Sequence, residues 1–182
     1  MNTFLIVLFL IIVIVILMGI LYIYYYNKFN ETIIRVNEAE SRIDNNLRDK
    51  YDLLNKCVSL IKDKVMLEDK QFDDLLVLKT KKLSNFELDR TLVKIYNELL
   101  GFFEKNKKLR ENDEIYKAIK QIDLIDEELI TLRTYYNGNI ANYNKMVKKI
   151  PTLIIAKIKK YKERMFYDLK DMSDEDYEDF KL

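Results

Sequence analysis

The sequence is poor in the residues that build tight turns and catalytic sites. Among 182 residues it has three Gly, one Pro, one Cys, and neither His nor Trp. Turns rely on Gly and Pro, so this composition excludes an all-β chain with closely spaced turns and favours long helices. The lack of His excludes a Ser-His-Asp triad and histidine metal ligands, and a single Cys excludes an intrachain disulfide. We therefore expect no catalytic residues, no metal ligands and no cofactor, and we predict that the protein is not an enzyme.

The charges balance in number but not in position. The chain has 31 basic and 30 acidic residues, a formal net charge of +1, and all of them lie at or after Lys28. Without a net positive charge, the chain lacks the electrostatic attraction that drives nucleic-acid binding. We therefore predict no nucleic-acid partner.

An uncharged apolar run occupies residues 4–23. About 20 residues at about 1.5 Å each cover the roughly 30 Å hydrocarbon core of a bilayer. Tyrosines, which favour the lipid headgroup level, close this segment at positions 22, 24, 25 and 26. A cleavable signal peptide would need a basic residue before the run and a small-x-small cleavage site, and the sequence has neither. We predict a transmembrane anchor over residues 1–27 that contacts membrane lipid through residues 4–26.

Basic residues follow the anchor and none precedes it. The first three are Lys28, Arg35 and Arg42. Since positive charges favour the cytoplasmic side, we predict a single-pass protein of the cell membrane whose water-exposed part is cytoplasmic.

Apolar residues recur at helical spacing through the rest of the chain and predict long helices. No Gly or Pro interrupts Asn30 to Lys82, and the first helix, if unbroken, is predicted to span this range. Its apolar stripe consists of Ile33, Val36, Ile43, Leu47, Tyr51, Leu54, Val58, Ile61, Val65, Phe72 and Leu75.

Two further helices have clear start signals. Ser84 to Glu87 is a capping box, and Asn112 or Asp113 can cap the next helix. The stripe of the earlier helix is Leu88, Leu92, Ile95, Leu99 and Phe102. The stripe of the later helix is Ile115, Ala118, Ile122, Ile125, Leu129, Leu132, Tyr136, Ile140, Tyr143, Val147 and Ile150. Because this stripe passes through Asn137-Gly138-Asn139, we predict helix there and not a hairpin turn, with Pro151 ending the helix.

A last helix is predicted over Leu153–Leu169, and an acidic tail over residues 170–182 is expected to be disordered. The apolar side of that helix carries Ile154, Ile158, Tyr161, Met165 and Leu169. The predicted fold is all-α: an N-terminal transmembrane helix followed by an antiparallel three- to four-helix bundle with long helices over residues 28–169.

Two sets of residues are candidates for contacts beyond the core. The first is basic and consists of Lys157, Lys159, Lys160, Lys162 and Arg164. On an amphipathic helix these side chains would contact an anionic membrane surface, and the alternative is a fourth bundle helix with a charged outer face. The second set is expected to specify helix packing and consists of Tyr136, Asn137, Tyr143 and Asn144.

Other conspicuous residues have ordinary explanations. The acidic groups Asp73-Asp74 and Asp126-Glu127-Glu128 are interpreted as solvated helix faces and not as metal or acid-base sites. Cys57 lies next to the apolar stripe and is expected to be a small buried apolar residue.

The order of several motifs resembles the LemA family. The first follows the anchor: Tyr26-Asn27, Ala39, Ser41, Ile43-Asp44, Leu47, Asp52-Leu53-Leu54 and Val58. The second is a pair of Tyr-Asn dipeptides, Tyr136-Asn137 and Tyr143-Asn144, followed by Val147, Ile150 and Pro151. The chain departs from the family pattern at Asn55-Lys56-Cys57, where the family usually has a Pro. The resemblance implies an anchored antiparallel helical bundle of the bacterial envelope and implies no catalytic mechanism.

These observations together predict a non-enzymatic scaffold or adaptor at the membrane. The alternative is a sensor or ligand-binding bundle, or an enzyme with a site between its helices. The expected partner is an unidentified protein, with another membrane protein as one candidate. Self-association through a coiled coil of the long first helix is left open.

Overall fold

The computed structural model describes residues 2–64, 72–78 and 83–167. Within these ranges every regular element is a helix, which confirms the all-α prediction. The helices are α1 (Asn2–Lys64), α2 (Asp73–Val77), α3 (Asn85–Lys105), α4 (Lys107–Arg110), α5 (Asp113–Lys148) and α6 (Thr152–Lys159). The tail predicted to be disordered, residues 170–182, lies outside the described residues, as does Leu169.

The N-terminal part of α1 is apolar and exposed. It contains an 18-residue window that is apolar enough to cross a membrane, and none of that window is buried. The same helix continues without interruption to Lys64.

The second part of α1 buries the predicted stripe, but α1 is shorter than expected. Val36, Ile43, Leu47, Leu54, Val58 and Ile61 are buried. The predicted end at Lys82 is wrong, because α1 ends at Lys64 and the stripe residues Phe72 and Leu75 belong to a separate turn of helix. Phe72 has a φ of 68°, a left-handed conformation that a continuous right-handed helix cannot contain. Helix α2 instead packs against α3.

The predicted caps of α3 and α5 are confirmed. The Ser84 hydroxyl accepts a hydrogen bond from the Glu87 N–H, and the Glu87 carboxylate accepts one from the Ser84 N–H. The Asn112 side-chain oxygen accepts hydrogen bonds from the N–H groups of Glu114 and Ile115. Each cap satisfies donors that would otherwise lack partners at a helix start, so both helices begin where local chemistry places them.

Helix α5 follows its predicted stripe until its last residue. It stays helical through Asn137-Gly138-Asn139, and most of its stripe is buried, namely Ile115, Ala118, Ile122, Leu129, Leu132, Ile140 and Tyr143. Ile125, Tyr136 and Val147 are half-buried. Ile150 lies beyond the end of α5 and is 78 % exposed.

The last helix is shorter than predicted and buries a different face. Helix α6 ends at Lys159, and Lys160 takes a left-handed conformation with a φ of 55°. The N–H of Tyr161 bonds to the carbonyl of Ala156 and the N–H of Lys160 to that of Lys157, the pattern of a Schellman motif. The buried residues are Thr152, Ile155 and Ala156, whereas Ile154, Ile158 and Met165 are exposed. The predicted apolar side is therefore wrong apart from Tyr161, which is half-buried.

The chain divides into two compact units. Unit 1 comprises Met1–Glu38 and Tyr136–Phe166, and unit 2 comprises Ala39–Tyr135 and Tyr167–Leu182. In unit 2, α3 pairs with α5 through Tyr96 to Asp123 and Asp89 to Arg133. Residue numbers rise along α3 as they fall along α5, so the two helices are antiparallel, as predicted.

Candidate functional site

An aromatic cluster forms the core of unit 1. Its buried residues are Phe29, Tyr143, Met146, Ile155 and Ala156. The ring of Tyr143 meets the ring of Phe29 edge-on at 6.0 Å between centroids, and Tyr161 lies 5.2 Å from Phe29. Burial raises the pKa of Tyr143. The cluster joins α1, α5, α6 and the segment after α6.

Asn144 holds the chain that follows α6. Its side-chain Nδ2 donates to the Arg164 carbonyl at 2.8 Å, and the Arg164 N–H donates to its Oδ1 at 2.9 Å. One amide side chain thus satisfies both backbone groups of one residue. This pair of hydrogen bonds ties the segment after α6 to α5.

The other Tyr-Asn dipeptide lies earlier on the same helix. Tyr136 and Asn137 are both half-buried on α5, and Asn139 is buried just beyond them. The structure therefore places both Tyr-Asn pairs on α5 in unit 1 and brings Tyr143 and Asn144 into contact with elements other than α5.

The five basic residues have different surroundings. The Arg164 guanidinium lies over the Tyr143 ring at 5.4 Å and donates to Asn37 at 3.2 Å. The Lys159 ammonium lies 4.9 Å from the centre of the Tyr26 ring. Lys157, Lys160 and Lys162 are exposed, as is Lys159. Arg164 and Lys159 thus make contacts within unit 1, and all four lysines are exposed to solvent.

Unit 2 contains a buried lysine that sequence analysis missed. Lys50 on α1 is fully buried, and its ammonium donates to Asp126 of α5 at 2.5 Å. It also lies 5.4 Å from the centre of the Tyr96 ring of α3, and the Tyr96 hydroxyl donates to Asp123 at 2.5 Å. Burial and the hydrogen bond to Asp123 raise the pKa of Tyr96. These four side chains connect the three long helices of unit 2.

A second polar group lies near the start of α3. The carboxylate of Asp89 pairs with Arg133 of α5 and lies 3.1 Å from the Tyr167 hydroxyl, which also lies 3.1 Å from the Asn85 carbonyl. The Arg133 guanidinium lies over the Tyr167 ring at 5.6 Å. Burial raises the pKa of Asp89, and the charge of Arg133 opposes that rise. This group fixes Tyr167 against α3 and α5.

Three of the clustered carboxylates pair with basic side chains on other helices. Asp126 pairs with Lys50, Glu128 pairs with Arg42 at 2.9 Å, and Asp74 pairs with Lys94 at 3.3 Å. The interpretation of the acidic groups as solvated faces is therefore incomplete. Among the described residues, no three acidic or cysteine side chains stand together as metal ligands.

Cys57 is buried, as expected. Burial raises the pKa of its thiol to about 11, so the thiol stays protonated at neutral pH. A nucleophilic cysteine needs the opposite shift.

An open groove runs between α1 and α5 in unit 2. Asp49, Leu53 and Lys56 line it from α1, and Gln121 and Leu124 line it from α5.

Comparison with known proteins identifies a family. Neither the curated proteins nor the solved structures give a match. The LemA family model matches residues 39–178, more than half of the chain. The matched region begins in α1 of unit 2 and extends past the segment tied down by Asn144. The chain therefore belongs to the LemA family.

Proposed function

We propose that this protein is a single-pass membrane protein of the bacterial envelope that acts as a non-enzymatic scaffold or adaptor. One observation carries the proposal: α1 is a single helix whose exposed apolar part runs directly into the stripe that forms the bundle core. An exposed surface of this length and apolarity is costly in water and stable in a bilayer. The continuous helix then couples the anchor to the bundle without a flexible linker.

The orientation is proposed from the charges beside the anchor. Lys28, Arg35 and Arg42 follow it and no basic side chain precedes it. This distribution supports a cytoplasmic bundle at the cell membrane.

The polar contacts of unit 2 support scaffolding over catalysis or ligand sensing. A site between helices needs polar groups that converge on a cavity. Lys50, Asp126, Tyr96 and Asp123 instead bond to one another, and this arrangement suits the fixing of helix register. The ligand-binding or enzymatic bundle remains the rival proposal.

Photo-crosslinking in intact membranes tests the scaffold proposal. A photoreactive amino acid is placed at one of three exposed positions on α5, Tyr116, Leu124 or Ile130. We expect at least two of these positions to crosslink to the same protein, which gives adducts of equal mass. Mass spectrometry then identifies this partner. An adduct of twice the chain mass identifies a second copy and supports self-association. Absence of protein adducts at all three positions contradicts the scaffold proposal, and samples kept in the dark are the control.

A further inference from the structure

The segment around α6 exposes apolar and basic side chains together. Ile154 and Ile158 lie one turn apart on α6, and both are more than half exposed. Lys157, Lys160 and Lys162 are exposed beside them. Apolar side chains mixed with lysines on one exposed surface are typical of segments that lie in a membrane interface.

The opposite side of α6 is fixed in the core of unit 1. Thr152, Ile155 and Ala156 are buried, and the Thr152 hydroxyl bonds to the Met146 carbonyl at 2.6 Å. Helix α6 therefore cannot turn its isoleucines inward without breaking the aromatic cluster. The exposure of Ile154 and Ile158 is a fixed property of the folded unit.

Three contacts place the chain around the Schellman turn along α1. Lys159 lies beside Tyr26, Tyr161 lies beside Phe29, and Arg164 bonds to Asn37. From Lys159 to Arg164, the contacted residues of α1 therefore lie progressively farther from its apolar stretch. Lys159, which directly precedes the turn residue Lys160, makes the contact nearest to that stretch.

We propose that the α6 tip, residues 157–162, docks on the headgroup layer of the membrane that α1 spans, and that the lipids it binds are anionic. This inference rests on the proposed anchor. Tyr26 belongs to the tyrosine group that closes the apolar run, the level at which headgroups lie. The tip holds Ile158 at the boundary of the acyl chains and presents Lys157, Lys160 and Lys162 to lipid phosphates. The tip then fixes the tilt of unit 1 against the bilayer.

Tryptophan fluorescence of the full chain in vesicles tests the position of the tip. The chain has no Trp, so a single substitution gives a single probe. Ile158→Trp reports the tip, and Ile34→Trp is the matched control, since the two side chains are 61 % and 64 % exposed. Ile34 lies about 12 Å beyond Tyr26 along α1, at about 1.5 Å per residue. Ile14→Trp reports the anchor.

Vesicles that carry brominated acyl chains and anionic headgroups then quench probes that reach the bilayer. We expect strong quenching of Ile14→Trp, clear quenching and a blue-shifted emission of Ile158→Trp, and little quenching of Ile34→Trp. Changing Lys157 and Lys160 to Gln is expected to lower the docked-to-undocked ratio by about fivefold for each charge. The same change has no effect in zwitterionic vesicles. Unchanged circular dichroism confirms that the exposed substitutions keep the fold.

Three results would contradict the inference, and they are distinguishable. If Ile158→Trp is quenched no more than Ile34→Trp while Ile14→Trp is quenched, the tip stays in water although the anchor is inserted. If Ile14→Trp is also unquenched, the anchor itself fails and the docking of the tip fails with it. Equal quenching of Ile158→Trp in anionic and zwitterionic vesicles contradicts the role of the lysines.

Discussion

Truncating Asp126 and truncating Lys50 are expected to have very different costs, although each change breaks the same ion pair. The Lys50 side chain is 0 % exposed, whereas the Asp126 side chain is 30 % exposed. Asp126→Ala leaves an ammonium group buried without its counter-charge. Lys50→Met leaves a carboxylate that water can reach. The loss of folding stability is determined by the environment of the charged group that remains, and not by the ion pair that is lost.

The magnitudes follow from these two environments. Removing one partner from a buried ion pair costs about 3–5 kcal/mol. The Tyr96 ring at 5.4 Å still attracts the Lys50 ammonium, so we expect Asp126→Ala to cost about 3 kcal/mol, at the lower end of that range. Met is unbranched and close to Lys in volume, and so it fills the space that the Lys50 side chain occupies. We expect Lys50→Met to cost less than about 1.5 kcal/mol.

Urea unfolding of the full chain in detergent micelles, followed by far-UV circular dichroism, measures both costs. The exposed pair Arg42 and Glu128 also joins α1 to α5 and is the matched control. Arg42→Met and Glu128→Ala are each expected to cost less than about 1 kcal/mol, since both side chains are largely solvated. The double variant of Lys50→Met with Asp126→Ala is expected to be more stable than Asp126→Ala alone.

Equal costs for the two single substitutions would refute this reasoning. So would a larger cost for Lys50→Met than for Asp126→Ala. Either result would mean that Lys50 reaches water in solution and that its position in the core does not depend on Asp126.

Three further predictions concern the segment after α6 and the buried thiol. Asn144→Ala removes two hydrogen bonds worth about 1 kcal/mol each. The backbone amides of residues 161–167 should therefore exchange with solvent at least about tenfold faster. Unchanged exchange would contradict the role of the Asn144 hydrogen bonds to Arg164. Cys57 should resist alkylation in the folded chain at mildly alkaline pH and react readily in urea, and equal rates would contradict its burial. Because burial raises the Cys57 pKa from 9.0 to about 11, the folded state holds this proton more tightly than the unfolded state, and stability should fall as pH rises from 9 through 11. Cys57→Ala should remove the part of that loss that begins near pH 9, and the buried tyrosines Tyr96 and Tyr143, whose pKa values are also raised, account for a separate loss above about pH 10.

Helices and their starts were predictable because their signals are local. The capping box of Ser84 and Glu87 and the cap at Asn112 involve residues within one turn. The apolar stripe of α5 outweighs the turn tendency of Asn137-Gly138-Asn139, since burial of a continuous face exceeds the cost of one Gly.

Two helix ends were not predictable from the spacing of apolar residues. The stripe of α1 continues in phase into Phe72 and Leu75, and periodicity cannot distinguish one long helix from a helix and a separate turn. Lys160 ends α6 without Gly because Tyr161 packs against Phe29 and Tyr143, residues that are distant in sequence. Tertiary packing thus accounts for the end of α6.

The buried polar residues of unit 2 were not predicted, although their spacing from buried apolar residues could be read from the sequence. Lys50 lies three residues after Leu47 and four before Leu54, within the buried stripe of α1. Asp89 lies three residues before Leu92, in line with the buried stripe of α3. Spacing alone could have placed both residues in the core. Their partners Asp126 and Arg133 lie on another helix, and one sequence does not reveal that pairing.

Alkaline extraction of membranes tests the proposed anchor most directly. The protein is expressed as the full chain, and membranes are washed with alkaline carbonate, which releases proteins that do not span the bilayer. We predict that the chain stays with the membrane and that its mass includes residues 4–26. A variant with Leu8→Lys, Ile12→Lys and Val15→Lys should be released. Release of the unaltered chain, or recovery of a chain cleaved after the apolar run, would contradict the account.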